Sequence, residues 1–574
     1  MLRGRPEESL RRIPLLALAL AACTRGDPDA AAGDTLTIAL PSDVRDLLPV
    51  LYASTTEGNV VSALQMPLLE PSFDCDLKFK PGLAREWRFS EDGRTLTVDL
   101  RGDVTWPDGT PVTADDVRFA WTLVADPKVK SPRADSLGRL QGGKGPRVVS
   151  PTTLEWTFAA AYDRTAMLAV VAGVLPVPRH LLDSPTVDRA SLRGHPLDVQ
   201  SPVGTGPWKL TSWEQGARIV LEPNERFVGP DELRPKLDRV VLQSLPDYRG
   251  RVAALEAGSV DVVEGLAVED ADRLVAADPT LQLRRRGWRA VEYVAWNGVD
   301  PEDWKRRAVG SAGARPAEAN PHRLFGDREV RRALGTALDT QGLIGSLLTS
   351  ARTGEVYGRP AVGTITPALC RVHNDGIVPL PFAPEDARAR LAELGWADTN
   401  NDGWLDKDGQ PFRFTLLTNA AWPRRTRAAE LIDAQLAAIG VDVVVEPLAP
   451  VTFYERLKAR DFDAALSSWS ASLYVDPSPI WGEDSEYNFT TYRNPRVAEL
   501  LARGLSETNA DAANAVWKDL QTEIYADQPY AFLYWTDEIV GVDGRFQGAT
   551  VDVLGGWRDL HAWRVGDVPP PAGP

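Results

Sequence analysis

A mixed α/β fold divided among several domains is what this sequence predicts, on three observations. The chain has 574 residues, and a single hydrophobic core stops growing at about 250–300. Segments of alternating polarity, the strand period, are interspersed with segments of helical period. Many of the connections between them are long.

The elements follow in order. "TLTIAL", 35–40, alternates and reads as a strand. "EWRFSEDGRTLTVDLR" is a hairpin, two alternating runs around Glu91-Asp92-Gly93. Asp108-Gly109 turns the chain. Thr113 and Asp116 then form a capping pair for a helix striped by Val117, Trp121 and Val124. Residues 201–227 are strands and turns. "RVAALEAGSVDVVEGL" is a helix stopped by Gly258, then a strand. "PEDWKRRAVGSAGARPAEANPHR", 301–323, reads as a loop-like insertion. Asp327 caps a helix carrying Val330, Leu334, Ala337 and Leu338, and Pro384 opens the next one. Ile432, Leu436 and Ile439 stripe a helix that ends at Gly440 and leads into the strand "VDVVVEPL". "DVPPPAGP" reads as a disordered tail.

A hydrophobic content of 43% with 25% charged residues fits a soluble globular chain. The formal charge of −16 repels nucleic acid and sets that partner aside. Eighteen Trp supply rigid, amphipathic contact area, as a binding surface uses. At the N-terminus, Arg3, Arg5, Arg11 and Arg12 precede the apolar run 13–22. That run is shorter than the ~20 residues a bilayer span needs, so it reads as an export signal. It ends in "LAAC", which resembles the bacterial lipoprotein signal, with Cys23 as the lipidated residue. The alternative is an ordinary secretory signal. Cys75 and Cys370 then remain, either paired in an oxidising compartment or as two separate buried thiols.

Enzyme motifs are weak. "GRLQGGKG", 138–145, nearly spells a phosphate-binding loop, but Gly145 stands where Ser or Thr must hold magnesium. No G-x-S-x-G elbow and no H-E-x-x-H is present. The five His are scattered, without metal-ligand spacing. No cofactor is expected. "DTNNDGWLDKDGQP", 398–411, begins like a calcium loop, with Asp398, Asn400, Asp402 and Asp406 in ligand positions. Its twelfth position is Gly409, where a bidentate Glu belongs, and a strand follows instead of a helix. A hairpin with two turns is the favoured reading, and calcium the lesser one.

"PGLAREWRFSEDGRTLTVDLRGDVTWPDGTPVTADDVRF", "SPVGTGPWKL", "EPNERFVGPDELRPKLDRV", "RVAALEAGSVDVV", "YVAWN", "DREVRRALGTALD", "AAELIDAQLAAIGVDVVV" and "RDFDAALSSW" stand in this order along the chain. Together they resemble the extracellular solute-binding proteins of family 5, the peptide and nickel receptors of ABC importers, over about residues 35–565. The resemblance implies an α/β, two-lobed periplasmic-binding-protein fold (class II, large cluster C-like) with an extra subdomain in the first lobe. Lobe one would take 35–60, 200–290 and 540–565, its subdomain 61–199, and lobe two 291–539. A signal peptide, 1–22, a tether, 23–34, and a tail, 566–574, complete the chain. The implied function is capture of an oligopeptide or other small solute by hinge closure and delivery to a membrane permease. The chain would act as a monomer, lipid-anchored in the periplasm or cell envelope, and not as an enzyme.

In peptide-binding members of that family a Trp-x-Ala-Asp motif supplies an Asp to the ligand's α-ammonium, since a buried ammonium needs a carboxylate. Trp469 and Ala471 match, but Ser472 holds the Asp position. Asp476 is a possible substitute, although it matches a family "DP" turn better. The expected ligand contacts are Trp296, Asn297, Asn419, Trp422, Trp469, Ser470, Ser472 and Asp476, with Tyr487 as a weaker candidate. For each Trp, core packing is the competing reading. No His or Met cluster favours a bare metal ligand. The alternatives are a receptor for a sugar, an opine or a metal chelate, an exported hydrolase, and a sensor or chaperone.

Overall fold

A computed structural model of the chain describes residues 34–134, 145–310, 319–485, 487–555 and 557–566. The export signal, Cys23, the tether up to residue 33, the glycine-rich run 138–144 and the tail from 567 lie outside the described residues.

The strands run in chain order. β1 (Thr35–Leu40) is followed by the hairpin β2 (Leu69–Asp74) and β3 (Asp76–Pro81). β4 (Ala84–Phe89), β5 (Thr95–Leu100), β6 (Arg147–Ser150) and β7 (Thr153–Thr157) make an antiparallel sheet in the order β4-β5-β7-β6. β8 (Trp208–Glu214), β9 (Arg218–Pro223), β10 (Arg239–Ser244) and β11 (Val262–Leu266) join β1. β12 (Gln282–Trp296) is 15 residues long. The short strands β13 (Gly358–Pro360), β14 (Asp406–Lys407) and β15 (Gln410–Pro411) come next. β16 (Arg413–Asn419), β17 (Asp442–Leu448), β18 (Ala464–Ser470) and β19 (Tyr530–Val542) complete the set used here.

One sheet runs β17-β16-β18-β12-β19-β11-β1-β10-β9-β8. It is two half-sheets sharing two long strands. β12 and β19 pair from Gln282↔Val542 to Arg286↔Glu538, and again from Ala290↔Thr536 onward, with 287–289 between the two stretches. In the first half β1 lies parallel between β10 and β11, and in the second β16 lies parallel between β17 and β18. Each region buries its own core, as separate domains do. Leu36, Ile38 and Leu242 belong to the first half, Leu96, Trp106 and Trp156 to the four-stranded sheet, and Leu416, Ile432 and Leu436 to the second half.

Local signals positioned many elements. The 84–100 hairpin forms, and Thr113 with Asp116 makes a capping box for the helix Ala114–Ala125. Asp327 caps Arg328–Thr336, and Pro384 begins Pro384–Glu393. In "SPVGTGPW", a Cβ on Gly204 would lie 1.9 Å from the Leu64 carbonyl oxygen, so only glycine lets this segment lie against the end of the helix Thr55–Leu64. One expectation fails. Pro301–Gly310 is a helix, not a loop, while 311–318 lies outside the described residues. Its acidic first turn, Glu302 and Asp303, suits the helix N-terminus.

Cys75 and Cys370 are bonded, with Cα atoms 5.2 Å apart; they are not separate thiols. Cys75 sits at the tip of the β2–β3 hairpin at φ +61°. Beside it Asp76 accepts from Arg371 Nη1 at 2.7 Å, and Phe73 packs on the second-half core of Val291, Tyr293 and Trp481. At the hairpin's base Arg558 pairs with Glu70 and donates to the Pro71 carbonyl at 2.6 Å. In return, Tyr474 packs on the core of the four-stranded sheet. The exposed Arg371–Asp76 pair is worth ~0–1 kcal/mol, so the disulfide dominates this contact.

Two outcomes follow. Cys370→Ser should lower unfolding free energy by about 2–5 kcal/mol, read from urea midpoints. Wild type plus reductant should reach the variant's midpoint, and equal midpoints without reductant would remove the disulfide from the stability account. Trp296, 1% exposed, has its ring centroid 4.8 Å from Phe325 and 6.0 Å from Phe414. Trp296→Ala should cost about 3–5 kcal/mol, the range for a cavity in a packed core, as measured by calorimetry.

Candidate functional site

The parallel strands β16 and β18 end at one edge of the second half-sheet, the edge at which open α/β sheets receive ligands. Past β16, Asn419 Oδ1 accepts from the Ala421 amide at 3.0 Å and turns the chain. Trp422 precedes Pro423 and is therefore held extended, at φ −121°, ψ 90°. Pro423 starts the helix Pro423–Ala437. Trp422 is 56% exposed, and the Arg425 guanidinium lies 5.5 Å from its ring centre.

Below this edge lies a charge cluster. Glu292 on β12 is fully buried and stands opposite Ser468 on β18 and Tyr534 on β19. Arg424 Nη2 donates to Glu292 Oε1 at 2.7 Å, and the Tyr534 hydroxyl donates to Oε2 at 3.1 Å. Arg425 Nη2 donates to Ser468 Oγ at 2.8 Å, and its Nε lies 3.5 Å from Glu292 Oε1. Burial, and then the Glu292 charge, hold the Tyr534 hydroxyl well above its ordinary range, so it stays a neutral donor.

On β18, Trp469 is half-buried against Phe489 at 5.8 Å and Tyr487 at 5.7 Å, and its indole donates to the Tyr530 hydroxyl at 3.3 Å. Ser470 and Ser472 are exposed. Ser472 Oγ accepts from the Tyr474 amide at 3.2 Å. Asp476 accepts from the Ser478 amide at 3.1 Å and so opens the turn Ser478–Trp481.

Of the expected contacts, Trp422 is exposed past β16, Ser470 and Ser472 are exposed at the end of β18, and Trp469 packs beside Tyr487. Two are corrected. Trp296 is core, and Asn297, wholly buried, donates to the Arg460 and Phe462 carbonyls as an internal strut. Asn419, 3% exposed, is a turn-former. Glu292, Arg424 and Arg425 were missed, although a charged residue inside the apolar run "AVEYVAW" was a legible signal.

A cavity of about 1270 Å³ lies elsewhere, between the β2–β3 hairpin, the first half-sheet and residues 552–561. Gln65, Glu70, Arg101, Trp208 and Arg558 line it, and none of the expected contacts does. The 398–411 segment is the favoured hairpin: β14 pairs with β15. Asp398 accepts from the amides of Asp402 and Gly403, Asn400 from that of Asp402, and Asp406 from Thr399. These oxygens shape turns. Among the described residues no group of three or more His, Cys, Asp or Glu could hold a metal ion, and no helix is long and apolar enough to cross a membrane.

Comparison with known proteins adds the rest. The chain is 28% identical over 482 residues to the oligopeptide-binding protein AppA of Bacillus subtilis, covering 83% of this chain and 81% of that one. It is 25% identical to the nickel-binding periplasmic protein of Escherichia coli, covering 89% and 91%. The AppA structure, in complex with a nonapeptide, superposes with TM-score 0.74 at 24% identity, covering 93% of this chain and 99% of that chain. Residues 78–489 match the middle region of the bacterial extracellular solute-binding proteins, family 5. A match of that extent, on a fold these relatives share, makes this chain a member of that family of solute receptors.

Proposed function

We propose that this chain is the solute receptor of an ABC importer. It captures a peptide or peptide-like solute between two lobes and hands it to a membrane permease. The observation that carries this reading is membership of family 5 over residues 78–489, and the ligand contacts within it are Trp422, Trp469, Ser470, Ser472 and Tyr487. The lobes are 35–60, 200–290 and 540–565 against 291–539, with 61–199 as the subdomain. Closure bends the chain between Arg286 and Ala290, where the register of β12 and β19 shifts. Binding energy goes into closing the lobes, and no bond breaks. Cys23 carries the lipid that tethers the receptor outside the membrane, and the receptor works as a monomer.

A second reading has its own observation. Ser472 is a neutral hydroxyl where peptide-binding relatives of this motif carry a carboxylate, and Asp476 is engaged in a turn. A solute without an α-ammonium, such as a sugar, an opine or a metal chelate, would not need that carboxylate.

Residues 24–574, purified without added ligand and examined by native mass spectrometry, should release a ladder of short peptides. One discrete non-peptide mass would retire the peptide reading in favour of the second. Ser472→Asp should strengthen binding of free peptides over N-acetylated ones by about tenfold, as a charge-assisted hydrogen bond gives. Equal affinities for both pools in the variant would separate this position from the ligand's amino end.

A further inference from the structure

We propose that the Cys75–Cys370 disulfide is a redox latch. Bonded, it holds the tip of the β2–β3 hairpin to the second half and limits how far the lobes open; reduction releases the tip and lets them open wide. The proposal rests on the two-lobe reading and adds a control to it.

The latch joins a stiff anchor to a pliable one. Cys370 lies in a stretch built into the second half. Leu369 and Val372, on either side of it, are buried in the core that holds Trp481 and Tyr530. The Val372 carbonyl accepts from Gln521 Nε2 at 2.9 Å, and Asn374 Nδ2 donates to the Lys518 carbonyl at 3.1 Å, both partners on the helix Ala510–Asp527. Cys75 stands instead at the tip of a two-stranded hairpin paired from Leu69↔Pro81 to Asp74↔Asp76. Leu69 at its base is buried in the core of the four-stranded sheet. Between base and tip, Glu70, Ser72, Phe73 and Lys80 line the cavity of about 1270 Å³. A strap that borders open space shifts without opening a packed core.

Once the bond is cut, what holds the tip is weak. The Arg371 side chain of the Asp76–Arg371 pair is 60% exposed, so water competes for that contact. Phe73 is partly buried on the second-half core. The bond also stands where a reductant reaches it, since Cys370 is exposed and Cys75 half-buried. Both acidic neighbours of Cys75 carry a cation, Asp74 on Lys78 at 3.2 Å and Asp76 on Arg371 at 2.7 Å. That pairing weakens their repulsion of an incoming thiolate. The reductant is a dithiol. Its thiolate attacks Cys370 Sγ, the S–S bond breaks, and Cys75 leaves as a thiolate that takes a proton. The second thiol of the reductant then displaces Cys370, which leaves two thiols on the receptor and a disulfide on the reductant.

The test uses residues 24–574, which contain no other cysteine, stripped of ligand and brought to three states: oxidised, reduced with dithiothreitol, and reoxidised with glutathione disulfide. Cys75→Ala/Cys370→Ala serves as a permanently released latch, and circular dichroism checks that each state is folded. Small-angle X-ray scattering reads lobe opening, and a pool of fluorescent tetrapeptides reads exchange. The reduced protein and the variant should have a larger radius of gyration than the oxidised protein and release the pool about tenfold faster. Reoxidation should reverse both changes. A reversible change of size without binding of the pool keeps the latch and retires the peptide reading. If every state has one unliganded size and every state contracts on the pool, the lobes close and the latch falls. Contraction in no state, with no binding, brings down the two-lobe reading together with the latch. A change that reoxidation does not reverse, or loss of the folded signal on reduction, makes the bond structural alone and overturns the latch.

Discussion

The chain passes between its two half-sheets on one pair of antiparallel strands, β12 and β19, and the rest of the molecule is organised around that pair. Their register shifts between Arg286 and Ala290, and again between Glu292 and Tyr293. Charged contacts pin the flanks. Arg285 pairs with Asp537 and Arg286 with Glu538 on the first-half side, and Glu292 holds Tyr534 and Arg424 on the other. Bending at a register shift disturbs regular pairing least, whereas bending at the flanks would strand the buried carboxylates of Asp537 and Glu292 at several kcal/mol each. The proposed closure is thus confined to a few residues by the cost of moving anywhere else.

The disulfide changes what that closure can be. Two lobes joined only by strands could open widely at their far edge. Here Cys75 and Cys370 add a third connection, and a disulfide tolerates Cα separations only up to ~6.8 Å. The β2–β3 hairpin must therefore travel with the second half at its tip, although Arg558 holds its base to the C-terminal segment. An exposed ion pair can yield during motion at little cost, but a covalent bond cannot. Under the proposed closure, the hairpin between its two anchors is the element that has to give.

Much of this was legible in the sequence because it is local. The 84–100 hairpin, the Thr113–Asp116 box, the Asp327 cap and the Pro384 start are each set by residues within a few positions of one another. What escaped is non-local. Trp296 and Asn297 were expected as ligand contacts at a strand end, but β12 is paired along both edges, by β18 and β19, and Trp296 packs into the core with Phe325. The bonding of cysteines 295 positions apart depends on two lobes meeting, which no spacing reveals. Glu292 and Arg424 are 132 residues apart. The calcium-like run was readable in the other direction, since a missing twelfth ligand already favoured the hairpin that forms.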